Sequence, residues 1–96
     1  MAKRKKLTPR EIAKALKSLA SWSVINGKLH KEFKFKDFKQ AFGFMASVAL
    51  IAESMDHHPE WSNVYNRVVI ELVTHDLGGI STMDLMFAES VEKLLG

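Results

Sequence analysis

The stretch DFKQAFGFMASVALIAESMDHHP, residues 37–59, decides the fold of this 96-residue chain. Its apolar side chains recur every three or four residues, which is the spacing that lines one side of an α-helix. They are Phe38, Ala41, Phe42, Met45, Val48, Ala49, Ala52 and Met55. Asp37 and Gln40 form a capping box that starts this helix. Because the residue before a proline avoids helical geometry, we expect the helix to end at about Met55 or Asp56, before His57-His58-Pro59.

A shorter helix is predicted near the start of the chain. Thr8-Pro9-Arg10-Glu11 places a threonine at the N-cap, a proline at the first helical position and a glutamate that closes a capping box. The apolar positions that follow, Ile12, Leu16 and Leu19, lie on one helix face. We expect this helix to end near Ala20.

Two β-hairpins are predicted, one on each side of the central helix. In the first, Asn26-Gly27 supplies the positive φ angles of a type I′ turn between residues 22–25 and 29–35. The second joins residues 61–65 to residues 68–74, and alternate side chains of the latter strand point to opposite faces. One face carries Val68, Ile70, Leu72 and Thr74, and the other carries Val69, Glu71, Val73 and His75.

The last predicted helix follows a break at Gly78-Gly79 and begins at a looser capping box made by Ser81 and Asp84. The order is therefore α-β-β-α-β-β-α. It predicts an α+β fold in which three helices pack on one face of a four-stranded antiparallel sheet. We expect one domain over residues 8–96, preceded by a basic and flexible tail over residues 1–7.

Composition restricts the class of protein. The net charge of +3 is accounted for by the run Lys3–Lys6, and the charges beyond it are mixed in sign, so no nucleic-acid-binding surface is expected. The absence of cysteine excludes disulfides and thiolate metal sites. No apolar run approaches the roughly 20 residues of a membrane span, and no apolar segment of a signal peptide follows the basic start. We expect a cytoplasmic protein, or also a nuclear one if the source is eukaryotic.

The residues that can carry chemistry are His57, His58, His75 and Asp84. They come from a helix end, a strand end and the first turn of another helix, and the predicted order lets them meet at one end of the sheet. Two imidazoles facing each other suit a dehydration, since one protonates a leaving hydroxyl while the other removes a proton from the neighbouring atom. An aspartate bonded to an imidazole would hold its orientation, and Trp61 and Tyr65 would offer an apolar wall to a ring-shaped substrate.

Two other interpretations compete with this one. Asp84 is also useful simply as an acid at a helix start, and three imidazoles with one carboxylate resemble a zinc ligand set. Adjacent residues in extended chain point to opposite sides, however, so His57 and His58 are poorly placed to ligate one ion. We therefore expect no metal.

The same residues carry a family resemblance. The run Glu53-x-x-x-His57-His58-Pro59, followed by Tyr65, His75 and Asp84, resembles the signature of pterin-4a-carbinolamine dehydratases. The supporting stretches are Phe35-Lys36-Asp37-Phe38, Ala41-Phe42-Gly43-Phe44-Met45, His57-His58-Pro59-Glu60-Trp61 and Asn63-Val64-Tyr65-Asn66. The resemblance extends from about Trp22 to the last helix.

The resemblance implies dehydration of a 4a-hydroxytetrahydropterin to the quinonoid dihydropterin, without metal or organic cofactor, in tetrahydrobiopterin recycling. It also implies the αββαββα fold and a homotetramer built from two dimers. Some animal members of the family serve as dimerisation cofactors of a homeodomain transcription factor, so a protein-binding role, or action on another pterin, stays open as an alternative.

Site residues follow from the resemblance position by position. The catalytic group would be His57, His58, His75 and Asp84, with His57 and His75 as the acid–base pair on the 4a-hydroxyl and the N5 proton. His58 would mainly contact the pterin. Further substrate contacts are expected from Glu53, Trp22, Pro59 and Trp61.

Overall fold

The computed structural model describes residues 4–96, and its elements follow the predicted order. The helices are α1 (Pro9–Ala15), α2 (Phe38–Met55) and α3 (Thr82–Leu94), and a single 3₁₀ turn spans His75–Leu77. The strands are β1 (Ser23–Ile25), β2 (Lys28–Lys34), β3 (Glu60–Val64) and β4 (Arg67–Leu72). Lys3, the first residue of the basic run, lies outside the described residues.

The four strands form one antiparallel sheet in the order β1-β2-β4-β3. Both hairpin turns reach positive φ at their tips, and Asn26 and Gly27 have φ of 52° and 76°, as a type I′ turn requires. Residues directly opposite each other share a sheet face, so the register pairs Leu29 with Leu72 and Phe33 with Val68 on the covered face. The predicted α+β fold class is confirmed.

The open face of the sheet is charged. His30 lies opposite Glu71, and Glu71 in turn lies opposite Glu60 on the edge strand β3. Lys28 and Glu32 of β2 point to this face as well, because they stand two residues from His30 on either side. Within the part of the chain that the structure describes, this charged face is not covered by helices. It is therefore consistent with all three helices packing on the opposite face of the sheet.

Helix α2 supplies the middle of the core, but its buried face differs from the predicted one. Ala41, Phe44, Val48 and Ala52 are buried, and the Phe44 ring lies 4.8 Å from the Phe33 ring, centroid to centroid. Phe38 and Phe42, which were assigned to the apolar stripe, are instead 50% and 59% exposed. The helix carries more apolar side chains than one face can bury, so periodicity alone did not locate the buried face.

Two predicted helix ends need correction. Helix α1 has the predicted capping box at Thr8, but it ends at Ala15 rather than near Ala20. Beyond it the chain continues in tighter turns, with the Lys17 and Ser18 amides donating three residues back, and no glycine or proline signals this change. At the start of α2, Asp37 caps the Gln40 amide as predicted, whereas the Gln40 side chain accepts from Lys36 rather than from Asp37.

The segment before α1 lies against the start of α3. The Leu7 amide donates to the Ile80 carbonyl at 2.9 Å, and the Thr82 amide donates to the Lys5 carbonyl at 3.0 Å. The predicted boundary at residue 7 and the flexibility of the segment before it stay predictions. Within residues 4–96, no helix combines the length and the hydropathy that crossing a membrane would take.

Candidate active site

A cavity of about 780 Å³ opens at one end of the sheet. Its wall is formed by the end of α2, the chain that follows β4, the first turns of α3 and Arg4. His57, His58 and His75 all line it, so the structure brings the three predicted histidines together. Met55, Met83 and Met86 add an apolar part to the wall.

The end of α2 explains how His57 reaches this cavity. Asp56 adopts the left-handed conformation, with φ of 50° and ψ of 44°, which a short polar residue tolerates better than a branched one. The amides of Asp56 and His57 then donate back to the carbonyls of Glu53 and Ala52, at 3.3 and 3.1 Å. This closing of the helix end fixes the direction in which the His57-His58-Pro59 segment leaves.

His57 and Asp84 form the innermost contact of the site. The distance from His57 Nε2 to Asp84 Oδ1 is 2.6 Å, and the aspartate side chain is completely buried. The other carboxylate oxygen, Oδ2, accepts from the Ser81 amide at 2.8 Å and from the Thr74 hydroxyl at 2.9 Å. Asp84 therefore closes the predicted capping box of α3 and also holds His57.

This contact assigns the tautomer of His57. An ionised carboxylate can only accept, so the hydrogen must lie on Nε2 of the imidazole, and Nδ1 is then the nitrogen that the ring can offer to a substrate. The ring packs edge-on against Phe87, with centroids 6.2 Å apart, and only 13% of the His57 side chain is exposed. The imidazole is therefore fixed both by packing and by hydrogen bonding.

The other two histidines are more exposed, and each also contacts a carboxylate through Nε2. His58 Nε2 lies 2.8 Å from Glu53 Oε1, and His75 Nε2 lies 2.8 Å from Glu60 Oε2. The same donor–acceptor argument places the hydrogen on Nε2 of both rings. All three imidazoles thus keep Nδ1 for a partner other than their carboxylate.

Two further ion pairs lie beside the histidines. Arg4 Nη2 lies 2.6 and 2.7 Å from the two oxygens of Asp76, and this guanidinium holds the pKa of Asp76 below its usual value. The pKa of Glu60 is also lowered, first by the hydrogen bond from Lys28 and then by that from His75. Both acids are therefore ionised at neutral pH.

The sequence did not single out Thr74, Glu60, Arg4 or Asp76. Thr74 had the strongest available signal, because strand alternation placed its hydroxyl on the covered sheet face, where a buried hydroxyl needs a partner. Glu60 follows the His-His-Pro run directly, but its contact with His75 depends on the pairing of β3 with β4. Arg4 is one of several basic residues in a row, and nothing in the sequence distinguished it from the neighbouring lysines as a cavity residue.

The other predicted substrate contacts do not line the cavity as the structure describes it over residues 4–96. Trp22 is buried in the core, where its indole Nε1–H donates to Glu92 Oε2 at 2.9 Å. Glu92 and Asp84 are eight residues apart on α3, which is about 12 Å along a helix. Pro59 and Trp61 follow His58 in the chain and are half-buried. Glu53 is exposed and contacts the His58 ring.

Three imidazoles line one cavity, and an imidazole is a group that can both donate and accept a proton. Within the described residues, no group of three or more His, Asp or Glu side chains is arranged to hold a metal ion. The arrangement therefore offers proton transfer at one wall and an apolar surface beside it. Such an arrangement is chemically suited to general acid–base catalysis.

Comparisons with known proteins agree over nearly the whole chain. The model of the family described as "Pterin 4 alpha carbinolamine dehydratase" matches residues 5–94. A protein of Solibacter usitatus is 55% identical over 89 residues, which cover 93% of this chain and 94% of that protein. A protein of Synechococcus sp. is 57% identical over 77 residues, covering 80% and 83%. Both relatives bear the name "Putative pterin-4-alpha-carbinolamine dehydratase".

A solved structure is also closely similar. The crystal structure of a "transcriptional coactivator/pterin dehydratase" from Brucella melitensis superposes with a TM-score of 0.91 at 45% identity. The match covers 96% of this chain and 100% of that chain. Fold and sequence therefore point to the same family.

Proposed function

This chain belongs to the pterin-4a-carbinolamine dehydratase family, and we propose that it removes water from a 4a-hydroxytetrahydropterin to give the quinonoid dihydropterin. The observation that carries the proposal is His57, which lines a cavity together with His58 and His75 and is held through Nε2 by the buried carboxylate of Asp84. A cavity of about 780 Å³ is ample for a bicyclic pterin.

The proposed reaction breaks the C4a–O bond and removes the proton on N5. One imidazolium gives its proton to the departing hydroxyl, which leaves as water, while a neutral imidazole takes the N5 proton. His57 and His75 are the proposed pair, and Asp84 stabilises the His57 imidazolium whenever that ring carries the proton. His58 is proposed to contact the pterin ring. Exchange of one proton with solvent restores the starting protonation states.

The demand on the protein is modest. The N5 lone pair assists departure of the hydroxyl. Positioned acid–base groups typically accelerate such a step by about 10²–10⁴-fold. That factor corresponds to about 3–5 kcal/mol of barrier. Three histidines with fixed partners are sufficient for a contribution of this size, and a metal ion or an organic cofactor has no proposed part in the step.

The test is a stopped-flow assay of 4a-hydroxytetrahydropterin dehydration. Wild type is compared with His57→Ala/His75→Ala and with the control His30→Ala, whose imidazole pairs with Glu71 on the open sheet face. We expect clear acceleration by wild type and by the control, and loss of it in the double variant. Full activity in the double variant would remove both residues from the mechanism.

The proposed cellular role is tetrahydrobiopterin recycling by a homotetramer made of two dimers. An exposed apolar surface on α2 supports self-association, because Phe38, Phe42 and Leu50 are 50%, 59% and 73% exposed in the single chain. The edge strand β3 also leaves one side of its backbone open to pairing. Equilibrium sedimentation of the purified chain measures the assembly directly.

A protein-binding role is the second candidate, supported by the name of the Brucella melitensis structure and by the same α2 surface. A folded wild-type protein that gives no acceleration with 4a-hydroxytetrahydrobiopterin would favour this role if other 4a-hydroxypterins also fail. Acceleration with a different pterin would instead identify a dehydratase of another substrate.

A further inference from the structure

Glu60 joins the open face of the sheet to the cavity. It is the first residue of β3 and lies opposite Glu71, on the charged face. One of its carboxylate oxygens, Oε1, accepts a hydrogen bond from Lys28 Nζ, and the other, Oε2, lies 2.8 Å from His75 Nε2. The carboxylate thus bridges a lysine of β2 and a histidine of the cavity wall.

The charge on this bridge is secured by Lys28. The hydrogen bond from Lys28 is the largest cause of the lowered pKa of Glu60, and the bond from His75 is the second. Because the ionised carboxylate only accepts, it orients His75 with Nε2–H toward Glu60 and leaves Nδ1 for a substrate. Lys28 is the first residue of β2 and pairs with Ile25 of β1, and the next residue, Leu29, pairs with Leu72 of β4.

His75 needs such a partner more than His57 does. Its side chain is 75% exposed and begins a single 3₁₀ turn, so little packing restricts the ring. His57 is 13% exposed and is held by both Asp84 and Phe87. An exposed imidazole without an anchoring bond samples several rotamers, and proton transfer needs one of them.

We propose that Glu60, held by Lys28, is the positioning residue of His75, setting which ring nitrogen faces the cavity. The inference rests on the proposed dehydratase function, in which His75 is one of the acid–base pair. Lys28 and Glu60 do not line the cavity, so residues on the open face of the sheet would affect catalysis through His75.

The kinetic test is a double-mutant cycle on the full chain, with Glu60→Ala, His75→Ala and the combined variant. We expect Glu60→Ala to lower kcat about tenfold with KM changed less than about twofold, because orientation and not binding is lost. In the His75→Ala background the same substitution should change kcat by less than about twofold. Glu60→Gln keeps one accepting oxygen but sets an amide donor against Lys28 or His75, so its kcat should lie between those of Glu60→Ala and wild type.

Equal losses of kcat from Glu60→Ala in both backgrounds would overturn the inference, as would a full kcat in Glu60→Ala. A wild type without dehydratase activity would instead overturn the proposed function. The structural part is then still tested by ¹⁵N–¹H correlation spectra of the histidine rings. We expect Glu60→Ala to convert His75 from the Nε2–H tautomer to a mixture while His57 is unchanged, and an unchanged His75 spectrum would contradict the positioning role.

Discussion

Asp84 Oδ1 lies 2.6 Å from His57 Nε2 although the two residues are 27 positions apart in the chain. The contact joins the end of α2 to the start of α3, so the two helix ends that border the cavity are tied together by the pair itself. Asp84 can serve in this way because its second oxygen is satisfied by Ser81 and Thr74, and among the described residues no buried side-chain polar atom lacks a partner.

Asp84→Asn should lower kcat by about 10²–10⁴-fold, the range of a lost acid–base contribution. The asparagine amide brings a donor to a place where Ser81, Thr74 and His57 all offer hydrogens. The mismatch should also cost about 1–3 kcal/mol of unfolding free energy. Stopped-flow kinetics and urea unfolding on the same samples measure both effects.

The matched control is Asp37→Asn at the start of α2. Asp37 also accepts from a backbone amide, that of Gln40, and asparagine caps a helix about as well as aspartate does. We therefore expect wild-type kcat and a stability change of a few tenths of a kcal/mol. If both substitutions lower kcat equally, Asp84 acts through helix capping and its contact with His57 is irrelevant to catalysis.

Much of the fold was predictable because its signals are local. The capping residues Thr8 and Ser81, the Asn26-Gly27 turn and strand alternation each act within a few residues of chain. The burial of α2 was less predictable, since Phe44 rather than Phe42 packs against Phe33 in β2 and against Phe35 directly after it. That contact depends on the packing angle of the helix, which the local sequence does not specify.

The site shows the same division. His57, His58 and His75 could be selected from residue type and position, and Asp84 from the spacing of a capping box. Glu60 and Arg4 could not, because their partners His75 and Asp76 are 15 and 72 residues away and are reached only through tertiary structure. Trp22 was wrongly expected at the cavity for the same reason. Its indole N–H donates to Glu92 in the core, and that contact too depends on tertiary structure.

Val48→Ala should destabilise the chain by about 1–3 kcal/mol, because Val48 is fully buried at the centre of α2 and the substitution leaves a cavity. Val24→Ala removes the same atoms from a side chain that is 44% exposed in β1, and should cost less than about 1 kcal/mol. Both losses are measured from the urea midpoints of unfolding, provided that the dependence of the unfolding free energy on urea concentration is unchanged. A loss at Val48 no larger than the loss at Val24 would contradict the burial of Val48 in α2.

Phe42→Glu should dissociate the proposed tetramer without unfolding the chain. Phe42 packs beside Phe38 on the exposed face of α2, with ring centroids 5.8 Å apart, and a charge there cannot be buried without a partner. Equilibrium sedimentation should give a smaller species, and far-ultraviolet circular dichroism should stay unchanged. Glu89→Lys on the exposed face of α3 is the control and should leave the mass unaltered. A tetramer that persists in Phe42→Glu places the interface elsewhere.

Acid should destabilise the chain through three surface carboxyls. The pKa values of Glu11 and Glu60 lie below the ordinary 4.5, and that of Asp76 lies below 3.8, because Thr8, Lys28 and Arg4 respectively donate to them. A folded pKa below the unfolded one means that the unfolded chain binds protons first as the pH falls. The contribution of each pair is therefore complete above the unfolded pKa and is lost as the pH falls through the folded pKa.

Lys28→Met tests one of these pairs. We expect the urea midpoint of wild type to fall between about pH 6 and about pH 3, and the variant to lose less over the same interval because Glu60 has lost its largest stabilising donor. The difference between the two proteins should shrink in about 1 M salt, since the pair is partly exposed and is screened. Parallel pH curves for wild type and Lys28→Met would mean that the Lys28–Glu60 contact does not persist in solution.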